Sequence, residues 1–319
     1  MYQIGSQINE VRTDGDLDVM RRDLDYFERA RLDAVEIPPH GLDVIRNGRL
    51  DKRRMKEIRS ILKDYDFRYS VHAPNPLNLM EESRAAAHRN VFQASLEFAS
   101  EIGAAALVYH AGRKVPEEAF YVTPQISYKK GELEGLMEHE ATLLQKLAGE
   151  YPRVNICIEN ARPYLHHSPY CYAENPDALR RQIVAVDRAN VRMTLDIGHL
   201  FMASRFYGFN PVAAVHEARD IIGHIHIHDN FGDTVHYGDK QQTHQIPFGS
   251  GDSHMPVGWG AIPFAEILAA MIDGYKGLFI MELRPRYFRY TEESRRNFRK
   301  ILAALNGKKI EKTLKRKVG

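Results

Sequence analysis

Short apolar runs rich in β-formers alternate along this chain with longer stretches whose apolar residues recur at helical spacing. The runs Gln3–Ile8, Ala34–Ile37, Arg68–His72, Ala106–His110, Asn155–Glu159, Arg192–Asp196, Gly223–His228 and Leu278–Leu283 predict eight strands. Helices are predicted over Asp18–Arg31, Asp51–Asp64, Glu82–Ile102, Glu132–Glu150, Asn175–Ala189, Pro211–Asp220 and Ile262–Asp273, with a last one over Thr291–Leu305. Asp177 after Pro176, and Thr291 before Glu292 and Glu293, read as helix-start caps. Strict alternation of strand and helix implies a parallel sheet. Eight units in 319 residues suit a single closed (β/α)8 TIM barrel better than an open doubly wound sheet. No G-x-G-x-x-G follows the first run, which argues against a dinucleotide fold. The expected organisation is a barrel over residues 1–305 and a basic C-terminal tail over 306–319.

Composition adds little to that pattern. Apolar residues at 44% and charged residues at 27% exclude a disordered or fibrous chain. Two cysteines, Cys157 and Cys171, are too few for a disulfide framework. No signal-like segment and no membrane-length apolar run is present, so a cytoplasmic protein with no membrane partner is expected. Charge is more informative. From Ser294 onward ten Lys or Arg face one acid, Glu311, a local charge of +9, and the remainder carries −7. The basic excess is terminal and reads as a solvated tail, or as a contact for an anionic partner such as nucleic acid.

Chemistry in such a barrel gathers at the C-terminal strand ends. There the sequence places His72-Ala73-Pro74, His110-Ala111-Gly112, Glu159-Asn160, Asp196-Ile197-Gly198-His199, the run His224 to Asn230, and Glu282-Leu283-Arg284. Several carboxylates meeting at one mouth repel each other, and a cation held by imidazole and carboxylate resolves this. Alternation puts His224, His226 and His228 on one strand face, with His224 deepest, and puts Glu282 and Arg284 together. Cys157 shares the Glu159 face one step deeper and reads as a small core residue.

Two connections exceed ordinary length. Asp229 to Ile262, after strand seven, carries Gly238, Gly249, Gly251, Gly258, Gly260 and the only tryptophan, Trp259. Arg113 to Gly131, after strand four, carries Phe120, Tyr121 and Tyr128. Both are expected to cover the mouth.

In this order the motifs resemble the xylose isomerase-like barrel superfamily. They are H-A-P-x-x-x-N-L at His72–Leu79, H-x-G at His110–Gly112, E-N at Glu159–Asn160 and D-x-G-H at Asp196–His199. H-x-H-D-N at His226–Asn230, D-x-H-x-x-x-G-x-G at Asp252–Gly260 and Glu282 complete the series. That superfamily includes sugar isomerases and epimerases and the endonuclease IV class of apurinic-site nucleases. The resemblance implies a single-metal core of Glu159, Asp196, His226 and Glu282. The nuclease pattern adds His72, His110, His199, Asp252 and His254 for a trinuclear centre. Two positions depart from the best-known members. The loop after strand seven shows Asp252 and His254 where sugar epimerases place an Arg. Asn75 and Pro76 follow H-A-P where the nucleases carry an aromatic wedge; Pro38-Pro39-His40 and Arg46 to Arg49 are the nearest substitutes.

The reading is a metal-dependent isomerase or epimerase of a sugar, sugar phosphate or related polyhydroxy carbonyl compound. The alternative is an endonuclease IV-like phosphodiesterase acting on abasic DNA. One to three divalent ions are expected, with Zn, Mn, Fe and Co all compatible with oxygen-plus-imidazole ligation. Under the first reading the partner is a small molecule, and under the second it is nucleic acid. Glu159 and Glu282 are then the acid–base pair, His199 and His228 orient hydroxyl groups, and Arg284 or Arg286 meets a hydroxyl or an anionic end.

Overall fold

Eight parallel strands close on themselves: β1 (Gln3–Gln7), β2 (Ala34–Ile37), β3 (Arg68–His72), β4 (Ala106–Tyr109), β5 (Asn155–Glu159), β6 (Val191–Asp196), β7 (Ile222–Ile227) and β8 (Leu278–Met281). Their order around the barrel is β1-β8-β7-β6-β5-β4-β3-β2. This computed structural model describes residues 2–115, 128–129, 131–236 and 244–318, with side chains described as far as Gly307. The main connecting helices are α1 (Leu17–Arg29), α2 (Lys52–Leu62), α3 (Ala85–Glu101), α4 (Glu132–Glu150), α5 (Pro176–Val186), α6 (Ile197–Tyr207), α7 (Pro211–Ala218), α8 (Phe264–Ala269) and α9 (Thr291–Val318). Among the described residues no helix is long and apolar enough to cross a membrane.

Strand alternation divides the buried residues. One side chain in two joins the main apolar core, as do Ile4, Val35, Ile37, Ile156, Ile158, Ile225, Ile227, Phe279 and Met281. The other set builds the barrel interior in layers. A separate apolar cluster of Ala34, Leu278 and Ile280 forms one layer. Register then sets Glu36 beside Ser70, Glu159 beside Thr194, and Asp196 beside His226. All of these are buried, so the upper interior is polar where most barrels are filled with branched apolar residues.

Helix starts differ from expectation in three places. The cap of α5 is Asn175, whose side chain accepts from the N–H groups of Asp177 and Ala178; Asp177 sits inside the first turn and pairs with Arg181. Thr291 opens α9 but donates its hydroxyl to Phe288 O at 2.7 Å, so it does not cap with its side chain. The helix α6 was not anticipated, because the apolar run of β6 passes straight into it. Asp196 both ends β6 and caps α6, accepting from His199 N–H at 2.6 Å. The last helix continues past Leu305 to Val318.

Gly5 shows how tightly the interior is filled. A Cβ there would lie 2.3 Å from the Ala34 carbonyl oxygen and 2.8 Å from Ile280 Cδ1. Gly5→Ala is therefore expected to cost ~1–3 kcal/mol by overpacking, read as a lower urea midpoint. An unchanged midpoint would show that the layer has room to give.

Candidate metal centre

Glu159, Asp196, His226 and Glu282 come from the ends of the consecutive strands β5 to β8, and one ligand atom from each lies within 4.8 Å of the others. His226 Nδ1 is 3.2 Å from Glu159 Oε1 and 3.5 Å from Glu282 Oε2. Three further groups of the same spacing adjoin this one among the described residues: His72, His110 and Glu159; His199, His228, Asp252 and His254; and Glu36, His72, His226 and Glu282. Glu159 belongs to two groups and links them. All nine residues of the expected ligand set thus meet at the barrel mouth.

The histidines are oriented by backbone carbonyls. His72 Nδ1 lies 2.8 Å from Ala73 O, His199 Nδ1 2.9 Å from Asn160 O, and His254 Nδ1 2.8 Å from Glu282 O. A carbonyl accepts only, so each Nδ1 carries the proton and each Nε2 is left facing the group. Asn160 explains the E-N pair: its side chain accepts from Asp196 N–H at 2.8 Å and donates to Asp196 O at 2.9 Å, locking two ligand-bearing strand ends together. Gly198 explains the glycine of D-x-G-H. A Cβ there would fall 2.1 Å from the His228 ring.

Asp252 and His254 are delivered by the excursion after β7. Asp229 and Met255 exchange both backbone hydrogen bonds, at 2.8 and 3.0 Å, and the Asp229 carboxylate accepts from Gly258 and Ile262 N–H. The stretch that delivers them is not extended. His254 has φ +44°, and the turn brings its Nε2 within 2.8 Å of Asp252 Oδ2. Gly238 of the same excursion lies outside the described residues.

Other expectations resolve less simply. His228 is fully buried, 3.1 Å from Asp196 Oδ2, with the His254 ring stacked on it at 3.9 Å, so it cannot touch a substrate hydroxyl in this arrangement. Arg284 lines the mouth and donates to Asp252 O at 2.6 Å. Arg286 is exposed and its guanidinium lies over Tyr287, away from the mouth. Of the aromatics after β4, Phe120 and Tyr121 lie outside the described residues, and Tyr128 donates back to Lys114 O. Cys157 is buried below the group, and burial pushes its thiol up to about 12.

Glu36, beneath the mouth, and Arg162, lining it, were not singled out from the sequence, and His40 was named only as a stand-in for the nuclease wedge. Glu36 on β2 is fully buried, accepts from Ser70 Oγ–H at 2.9 Å, and lies 2.9 Å from His224 Nε2. It also sits 3.1 Å from His226 Nε2, though out of line for a hydrogen bond. Its signal was an acid inside the apolar run Ala34–Ile37. Arg162, three residues past Glu159, reaches Asp252 Oδ2 at 2.5 Å. His40 lines the mouth, and burial holds its pKa down at about 4.

Electrostatics bind the cluster together. Burial opposes every charge here, yet His110 and His226 hold Glu159 well below the usual carboxylate range. Asp196, beside His199 and His228, is held at about 2. Burial likewise opposes charge on His72 and His199, but the carboxylates around them outweigh it and raise them to about 9 and about 10. Glu282 differs: burial dominates and pushes it up to about 7. Glu159 Oε2 lies 2.7 Å from His110 Nε2 but has no aligned hydrogen-bond donor despite its burial. An anionic acceptor in that state, among imidazole nitrogens and further carboxylates, fits a divalent cation.

Above the group lies a cavity of about 280 Å³ lined by His72, His110, His199, His254, Arg162 and Arg284 among others. Residues 24–306 match the family of xylose isomerase-like TIM barrels. The chain belongs to that family. Two uncharacterised proteins of Methanocaldococcus jannaschii are similar to it. One is 25% identical over 272 residues, covering 82% of this chain and 80% of its own length. The other is 27% identical over 238 residues, covering 73% and 74%. Among solved structures, a D-tagatose 3-epimerase-like protein superposes with TM-score 0.70 at 21% identity, over 96% of this chain and 99% of that one. An L-ribulose 3-epimerase gives TM-score 0.69 at 14% identity, over 97% of each chain. A 3-keto-D-glucoside 4-epimerase from E. coli gives 0.64 at 18%, over 96% and 100%. At these identities the likeness is one of fold.

The raised histidines have a pH consequence in the metal-free protein. A histidine whose folded value exceeds its unfolded 6.5 stabilises fully below pH 6.5 and loses that contribution as pH rises through the folded value. The melting temperature of chelator-treated protein is therefore expected to fall between pH 6.5 and about 10, and His72→Gln is expected to flatten part of that fall. A flat wild-type profile would contradict the assigned protonation.

Proposed function

We propose that this protein is a divalent-metal-dependent isomerase or epimerase acting on a sugar, sugar phosphate or related polyhydroxy carbonyl compound. The observation that carries the proposal is the convergence of Glu159, Asp196, His226 and Glu282 beneath a cavity of about 280 Å³. That volume lies near the lower end of small-molecule sites and suits a monosaccharide far better than a duplex. Three of the structures that share the fold are named as sugar epimerases or as epimerase-like.

In this reading Glu159, Asp196, His226 and Glu282 hold one ion, and His72, His110, His199, Asp252 and His254 hold up to two more. Zn, Mn, Fe and Co all suit the donors. The bound ion supplies charge stabilisation for the enediolate oxygens formed when a proton leaves the carbon next to a carbonyl. Glu282 lines the cavity, and Glu159 lies just beneath it beside His110 and His226. Glu159, held ionised, takes the proton on its carboxylate; Glu282, pushed up to about 7, holds a proton to return. His199, which unlike His228 lines the cavity, orients a substrate hydroxyl. Arg162 and Arg284 stand on either side of Asp252 and suit an anionic or multiply hydroxylated end.

One observation favours the phosphodiesterase alternative. The adjoining groups, two of which share Glu159, are the kind of arrangement that a three-ion centre would need. There the same residues would serve only as ligands around a phosphate.

Incubation in deuterated water separates the readings, because hydrolysis moves no carbon-bound proton. Solvent deuterium is expected in a sugar product, lost by at least ~100-fold in Glu159→Gln, in line with removal of an acid–base group. Metal content is expected to fall in the same variant. A broad sugar panel without exchange, together with Glu159-dependent nicking of abasic DNA, would replace the isomerase with the nuclease. Unchanged metal stoichiometry in a Glu159→Gln, Glu282→Gln double variant would remove the metal assignment altogether.

A further inference from the structure

The pole of the barrel opposite the mouth, where strands begin, ordinarily serves stability alone. Here the starts of β3, β5, β6, β7 and β8 surround a cavity of about 560 Å³. Its wall carries four cationic side chains, Arg68, Arg192, Arg219 and Lys276, against two acidic ones, Asp220 and Asp273. Arg192 donates to the Asp220 backbone carbonyl at 2.7 Å, so that bond neutralises none of its charge. Arg219 lies 3.7 Å from the Asp220 carboxylate with both side chains in solvent, a weak pair. Lys276 is exposed.

The floor of this cavity supplies an independent observation. His224 lines it and is 1% exposed. Its Nε2 lies 2.9 Å from Glu36 Oε2, a carboxylate that already accepts from Ser70, so Nε2 carries the proton and donates. Nδ1 of the same ring is then a lone-pair acceptor, and it is buried with no hydrogen-bond partner among the described residues. Such an atom calls for a donor. The walls call for an anion, and an excess of two positive charges matches a phosphate dianion.

We propose that this cavity binds a small hydroxylated phosphomonoester, its phosphate held by Arg192, Arg219 and Lys276 and a hydroxyl donating to His224 Nδ1. The volume lies within the range of small-ligand sites. The cavity opens at the opposite pole from the metal centre, with Glu36 standing between His224 and His226, and the proposal does not depend on the reaction assigned at the mouth.

Calorimetric titration of the full chain with ribose 5-phosphate, inorganic phosphate and ribose tests it. Saturable binding of ribose 5-phosphate is expected, weaker binding of inorganic phosphate, and none of ribose. An Arg219→Gln, Lys276→Gln double variant should weaken ribose 5-phosphate on the order of tenfold, as loss of charge-assisted contacts does. Both positions are exposed, and a melting curve checks that the fold is kept. Lys146→Gln, at an exposed position that lines neither cavity, should leave the affinity unchanged. Absence of binding, indifference to the double variant, or an equal loss in Lys146→Gln would each overturn the proposal. Equal affinity for inorganic phosphate and ribose 5-phosphate would overturn it as well, by removing the hydroxyl contact.

Discussion

Five buried carboxylates in one half of a barrel repel each other, and the rest of this molecule is arranged around that repulsion. Glu36, Glu159, Asp196, Asp252 and Glu282 are each at most 6% exposed. In water their mutual repulsion would be screened; here burial removes that screening and penalises each charge separately. Imidazole rings stand between them and make the arrangement tenable. His226 lies among Glu36, Glu159 and Glu282, and His199 among Glu159, Asp196 and Asp252. The metal-free site is in effect a proton-loaded one. Under the proposed function, an ion bound beside His72, His199 or His226 would displace protons from rings whose basicity the same carboxylates have raised, so affinity and pH would be coupled.

Delivery of these groups follows from parallel strand register and from boundaries that serve two elements at once. Asp196 closes β6 and caps α6, so the angle of its carboxylate is set by a strand and a helix together. Asn160 ties the end of β5 to the same residue. Backbone carbonyls at Ala73, Asn160 and Glu282 choose the ring tautomers. Arg162 and Arg284 add a hold on Asp252 from its carboxylate and its carbonyl, so the geometry is fixed by the protein's own contacts.

The eight strands were legible as short apolar runs, most of them closed by a polar residue, and His72, His110, Glu159, Asp196, His226 and Glu282 were legible at those strand ends, whereas His199, Asp252 and His254 lie outside the strands and were named as ligands only through the family resemblance. What escaped the sequence did so for definable reasons. Glu36 sits within its run and one layer lower, where nothing local distinguishes a supporting acid from a ligand. Arg162 finds Asp252 across ninety positions of chain, a distance that no periodicity spans. Alternation grouped His228 correctly with His226 but could not show that His254 would fold over it. The helix α6 was hidden because β6 enters it without a turn.

The excursion after β7 is closed twice. Asp229 and Met255 pair at its base, and Gly251 N–H donates to Asp233 O at 2.8 Å just above. Asp252 and His254 follow directly on the second clasp, which Arg205 reinforces by pairing with the Asp233 carboxylate at 3.1 Å. Lengthening a closed loop adds only the logarithm of its length to the entropic cost. Length added or removed between Asp233 and Gly251 would therefore cost little stability, while Asp252 and His254 beyond the clasp would keep their places.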